Sequence, residues 1–289
     1  MKNILVVAFA ILIAFITDAC RKRTDITESI RSAQDNASVE TEFGNIYDVS
    51  TGYAQEDGLT GKTDADKILP SGAMVTFQDS LFFSQDNSPV VFTIDYGDLK
   101  ATAPKGLLCK DGRYRAGKIH VSLKEKFGTA DNQIVITIAN ADGYYVGNGT
   151  NMYQLTGTKT ITRQGSQKKW STVVNNATLQ TDKGTIAWSA NRTIEQTVDV
   201  PGAIGDEYTV TGTAQGTNAE GESFSANITT PLVKRLQIGC LSTFVSGIWT
   251  LTNSKGDVFS VDYDPYNNAA CDKTVKVKYN NKEKIITVW

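Results

Sequence analysis

The sequence predicts a mainly β protein, built of antiparallel meander or sandwich-like units, with one short N-terminal helix behind a signal peptide. Three observations predict it. Polar and apolar residues alternate in Lys118–Leu123, Gln133–Ile138 and Thr274–Tyr279, the period of strands that show one face to a core and one to water. Clusters of Gly, Asn, Asp and Thr punctuate these runs at turn-like intervals, and no helical pattern of ten residues or more interrupts them. One phrase is also written twice, VFTIDYGD from Val91 and VFSVDYDP from Val258.

The chain opens MKNILVVAFAILIAFITDAC. Lys2 precedes an apolar run from Ile4 to Ile16, shorter than the roughly 20 residues of a membrane span and laid out as an export signal. Thr17-Asp18-Ala19-Cys20 resembles the lipobox of bacterial lipoproteins, which implies cleavage before Cys20 and acylation of its sulfur. Thr17 and Asp18 depart from the usual Leu and Ala or Ser, as in the looser lipobox of Bacteroidota; an ordinary signal peptide is the alternative. Each buried acyl methylene contributes about 0.8 kcal/mol, so more than one chain anchors stably. Arg21, Lys22 and Arg23 then either meet anionic head groups or solvate a tether.

These features divide the chain into a signal peptide (1–19), a tether (20–34), a helix and loop (35–67) and a β domain (68–289). Val39, Phe43, Ile46, Val49 and Tyr53 recur at steps of three and four, one face of a helix, with Asp35 as its N-cap. Gly44 and Gly52 each cost about 1 kcal/mol in a helix interior, so tertiary packing has to support it. Within the β domain, related units at about 71–138 and 240–289 flank a hairpin-rich middle. There Tyr153-Gln154-Leu155-Thr156-Gly157-Thr158 is echoed by Tyr208-Thr209-Val210-Thr211-Gly212-Thr213, and Ser71-Gly72-Ala73 by Ser246-Gly247-Ile248. Recurrence means one supersecondary unit reused, unequal spacings exclude a regular solenoid, and a Gly inside a strand phrase marks a bulge or a close backbone approach.

The phrases TIDYGD, CKDGRYRAGKI, YTVTGTAQGTNAEGESF, TPLVKRLQIGC and VDYDPYNNAACDKTVKV resemble an uncharacterised family of Bacteroidota lipoproteins. The resemblance covers nearly all of the mature chain, including the segment around Phe43. It implies outer-membrane lipid anchoring, on the periplasmic face or the cell surface, and no established activity. The second phrase departs at Asp264-Pro265, where the family has glycine after Asp-Tyr, so it is expected to turn differently.

Charge and chemistry narrow the function classes. Lys and Arg total 29 against 31 Asp and Glu, a net charge of −2, so no global field draws the chain to nucleic acid. The expected partners are a membrane, through the lipid anchor, and an anionic glycan or envelope protein; no cofactor or metal is implied. Asp111 to Lys118 reads DGRYRAGK: a tight Asp-Gly turn, then Arg113 and Arg115 on one strand face, their planar forks suited to carboxylate or phosphate. Arg113, Arg115 and Lys118 are the candidate ligand-binding residues. The alternative is that these charges protect an edge strand.

With Cys20 acylated, three cysteines remain. Cys240 with Cys271 closes one β-unit on itself and leaves Cys109 a buried thiol; Cys109 with Cys271 joins equivalent repeat positions, and both stay open. A Cys-Cys-Cys-His zinc site through His120 matches no zinc spacing. His120, the one histidine, falls on the polar side of its strand with no nucleophile motif near it in sequence. Asp95 and Asp262 suit local Asx turns; a polysaccharide hydrolase using one as acid or base is the alternative function. Asp262, Asp264, Asn267 and Asn268 lack the Gly and Glu of a calcium loop. Asp79-Ser80-Leu81 resembles the Bacteroidota O-glycosylation sequon.

Overall fold

A computed structural model of the chain describes residues 30–56, 69–78, 89–125, 129–200, 205–237, 240 and 243–288. The signal segment, Cys20 with the basic residues after it, and Asp79-Ser80-Leu81 lie outside the described residues.

The described residues hold one helix, α1 (Arg31–Glu56), and sixteen strands in one continuous antiparallel sheet. The first unit contains β1 (Met74–Phe77), β2 (Val90–Asp95), β3 (Leu107–Leu108), β4 (Tyr114–Ala116), β5 (Lys118–Leu123), β6 (Gln133–Ile138) and β7 (Tyr145–Gly147). Long hairpins follow: β8 (Met152–Arg163), β9 (Lys169–Thr181), β10 (Gly184–Val198), β11 (Glu207–Thr217) and β12 (Ser223–Arg235). The last unit is β13 (Ser246–Asn253), β14 (Val258–Asp262), β15 (Thr274–Tyr279) and β16 (Lys282–Thr287). The main path runs β1-β2-β5-β6 and then β8 through β16 in chain order; β3, β4 and β7 form a flap joined through β7 to β8.

The repeated phrases occupy matching strands, β2 and β14. Phe92, Ile94 and Tyr96 are buried, as are Phe259, Val261 and Tyr263, so period two points both sets at the interior. The turns that follow differ. Gly97 takes φ +74°, whereas Asp264 at the matching place accepts from the amides of Asn268 and Ala269 at 2.8 and 3.1 Å. The outward positions of the long hairpins are hydroxyl-bearing, among them Thr158, Thr193, Thr211 and Thr213. A lipid-facing strand carries apolar residues there, so this face is built for water.

The glycines of the Thr-Gly-Thr phrases both sit at register shifts with positive φ, Gly157 at +140° and Gly212 at +123°. A Cβ on Gly157 would lie 2.8 Å from the Ala177 Cα and 3.1 Å from the Phe43 ring. That glycine lets β8 come up against both β9 and the helix.

Helix α1 begins four residues before the predicted start, inside the span assigned to the tether, and 14 of residues 30–46 are buried. Of its predicted apolar face Val39, Phe43 and Ile46 are inside; the side chains of Val49 and Tyr53 lie outside the described residues. The polar face is inside too: Ser32, Asp35, Asn36, Glu40, Thr41, Glu42 and Asn45 are all buried. Over residues 30–46 the helix is buried on every side, and the sheet bends around that part of it. Asp35 is therefore not an N-cap. It stands on the second turn, and its Oδ2 accepts from the amide of Ala219 in the β11–β12 connection at 2.8 Å.

The sheet supplies the partners that buried polar groups need. Trp188 Nε1 donates to Asn36 Oδ1 at 2.9 Å, and Lys159 Nζ to the Phe43 carbonyl at 2.6 Å. Arg192 grips Glu40, its Nε 3.0 Å from Oε1, and Arg113 pairs with Glu42. The Phe43 and Trp188 rings pack 5.7 Å apart, each worth about 1.5–3 kcal/mol by burial. Cys240 and Cys271 form a disulfide with Cα atoms 4.8 Å apart, and Cys109 is a buried free thiol. The alternative pairing of Cys109 with Cys271 is thereby excluded.

Candidate functional site

The turn at Asp111-Gly112 forms as its residues dictate: Gly112 takes φ +79°, and its amide donates to the Cys109 carbonyl at 2.9 Å. Alternation then sends Arg113 and Arg115 to one face, but to the inner one, where they are 4 % and 1 % exposed. Arg113 meets Glu42 of the helix. Arg115 makes a two-pronged pair with Asp111, Nη1 to Oδ1 at 2.8 Å and Nη2 to Oδ2 at 2.6 Å, and its Nε donates to the Tyr144 hydroxyl at 3.1 Å. Lys118 lies outside, half exposed, 3.5 Å from Asp95.

The expectation that Arg113, Arg115 and Lys118 form one solvent-facing docking site is thus corrected. Period two fixes that the two arginines share a face; which face was decided by the carboxylates waiting inside. Edge protection fails as well, because β4 is paired on both sides, to β3 and β7. Burial pushes the Glu42 carboxyl up, against the pull of Arg113. Burial also raises Asp111, yet the Arg115 charge and hydrogen bonds override it and hold that carboxyl below its ordinary value.

Asp95 and Asp262 take equivalent places. Each Oδ1 accepts an amide two residues on, from Gly97 at 2.8 Å and Asp264 at 2.9 Å. Each Oδ2 faces the cross-strand lysine, Lys118 at 3.5 Å and Lys276 at 3.4 Å. Both point away from the buried face of the sheet, on strands far apart along its path. Two carboxylates serve one glycosidic bond only from opposite sides at about 5–9.5 Å, and outward-facing groups on β2 and β14 do not converge. The geometry gives that hydrolase reading no support.

His120 has partners that its own neighbourhood did not suggest. Its Nδ1 lies 2.9 Å from Thr93 Oγ1 and its Nε2 2.9 Å from Asp142 Oδ1, with the ring 39 % exposed. The imidazole ties β2 and β5 to the 3₁₀ turn Asn140–Asp142. Groups of three or more metal-ligating side chains do not occur among the described residues.

A cleft of about 370 Å³ opens where β7, the start of β8 and the β9–β10 turn meet. Tyr145, Tyr153, Gln154, Gln180 and Asp182 line it together with Lys105. Cross-strand pairing builds one wall, since Tyr145 stands opposite Gln154 and Gln154 opposite Gln180. Gln154 is held by its Nε2, which donates to the Asn140 carbonyl and side chain at 3.2 and 3.1 Å. Burial raises the Tyr153 hydroxyl, and the nearby Asp182 charge raises it further. Tyr153 entered the sequence reading only as the first letter of a repeated phrase. Tyr145, Asp182 and Lys105 carried no signal, because residues so dispersed along the chain meet only through strand register.

No protein-family model matches the chain, and neither a curated protein nor a solved structure matches it.

Proposed function

We propose that this chain is an exported lipoprotein of the kind seen in Bacteroidota, anchored through Cys20 to the outer membrane on its periplasmic face or the cell surface, and that it binds a neutral glycan without catalysis. The export layout of the first twenty residues supports the location. The observation that carries the binding reading is the cleft. Two tyrosines offer apolar ring area with a polar tip, the amides of Asn151, Gln154 and Gln180 and a carboxylate offer hydrogen bonds, and one lysine balances one aspartate. Concave sites of this make-up fix a ligand by a few placed polar groups.

A neutral ligand is favoured because two of the three cations expected to hold an anionic one are turned inward, and the third, Lys118, stands beside Asp95 on the outside. Arg113 and Arg115 face carboxylates inside the fold. The remaining surface partner, an envelope protein, would need a larger face than this cleft.

Calorimetry with a panel of neutral and acidic oligosaccharides tests the reading. Tyr145→Ala and Asp182→Ala should each weaken the neutral ligand at least tenfold, about 1.4 kcal/mol. Binding of acidic sugars only, or binding untouched by both substitutions, would overturn it. The anchor is tested separately: labelled palmitate should enter the wild-type protein and not Cys20→Ala.

A further inference from the structure

Gln154 stands in the middle of the cleft's cross-strand wall, between Tyr145 and Gln180. Its Nε2 donates to the Asn140 carbonyl at 3.2 Å and to the Asn140 side-chain oxygen at 3.1 Å, and a primary amide has two protons to give. Both are spent on Asn140. What Gln154 holds out to a ligand is Oε1, which accepts from a hydroxyl and repels another acceptor. A binding group is as fixed as the contacts that lock its rotamer, so the hold on Asn140 decides how well that oxygen is placed.

Asn140 shares the 3₁₀ turn Asn140–Asp142 with Asp142. Asp142 Oδ2 accepts from the Ala139 amide at 2.9 Å, which caps the turn, and its Oδ1 lies 2.9 Å from His120 Nε2. An ionised carboxylate only accepts, so Nε2 carries the proton of that bond. In the neutral ring Nδ1 then accepts from the Thr93 hydroxyl, 2.9 Å away on the facing strand. The ring is thus gripped from β2 on one side and grips the turn on the other. We propose that His120 is a positioning residue for the cleft, acting through Asp142 and Asn140 to aim the Gln154 oxygen at a hydroxyl of the bound glycan; the proposal rests on the glycan reading of that cleft. A site that commits a fixed acceptor to a hydroxyl discriminates against an analogue that lacks it.

Proton–nitrogen NMR of the isotope-labelled protein reads the Gln154 amide directly. The side-chain pair of signals that disappears in Gln154→Leu belongs to Gln154. His120→Ala should move that pair toward the signals of solvated glutamines, while the backbone spectrum away from the turn stays in place. His120→Gln, which keeps an N–H donor where Nε2 stood, should restore it. His120→Leu, with the bulk retained, takes the place of His120→Ala if that variant does not fold. Calorimetry with cellohexaose, maltohexaose and xylohexaose reads binding: His120→Ala should weaken any that binds the wild type about three- to tenfold, the size of one neutral hydrogen bond, and His120→Gln should recover it. Gln154 signals that do not move in a folded His120→Ala protein, or an affinity that stays the same when they do, would overturn the proposal alone. Wild-type protein that binds neither these nor any other neutral sugar of the panel overturns the glycan reading, and the proposal falls with it.

Discussion

Arg115 shows how much one side chain decides. It is 1 % exposed, and its guanidinium is spanned by the two oxygens of Asp111 and the hydroxyl of Tyr144. The Asp111 carboxyl is held below its ordinary value in the folded chain and returns to about 3.9 when the chain unfolds. The unfolded state thus takes up the proton first, and the stability this group adds is complete above about pH 4 and lost as pH falls through the folded value. Urea midpoints measured from pH 7 down to pH 2.5 should fall on the acid side in the wild type. In Asp111→Asn that part of the slope should vanish, from a lower starting stability. Glu42, raised by burial, works in the opposite direction, so its replacement should not flatten the acid limb. The spacing of Asp111, Arg113 and Arg115 was legible in the sequence. Their burial was not, since Glu42 lies far from them in the chain and nothing local announces it.

At the scale of elements, the strands follow from alternation and the helix from its apolar steps, but the approach of helix to sheet depends on Gly157. Its φ of +140° suits glycine, and a side chain there would press on Ala177 and Phe43. Gly157→Ala should cost about 1–3 kcal/mol from backbone strain and overpacking, read as a lower urea midpoint. Gly256, with φ +81° and open space around it, serves as the comparison, where Gly256→Ala bears the backbone strain alone. Reading Gly157 as a bulge was possible from the sequence because glycine inside a strand phrase has few other uses. The length of α1 and the burial of its polar face were not readable. Glu40, Glu42 and Asn45 look like a solvent face until a sheet with inward-pointing Arg192 and Arg113 is wrapped around them.

For the whole molecule, the disulfide closes the last unit: it joins the segment before β13 to the loop before β15. Cys271→Ser should lose about 3–4 kcal/mol by chain entropy, and thiol titration of the wild type should find Cys109 unreactive until the chain unfolds. The sequence by itself determined the antiparallel strands, which side chains share a strand face, the twin phrases on β2 and β14 and the presence of one helix. Each of these follows from periodicity or turn chemistry, which act over a few residues. The tertiary structure alone decided that the strands form one sheet bent around that helix, that Arg113 and Arg115 look inward, and that Tyr145, Tyr153 and Asp182 share a cleft. The reason is physical: alternation says that a strand has two faces, and only long-range partners decide which face is covered and by what.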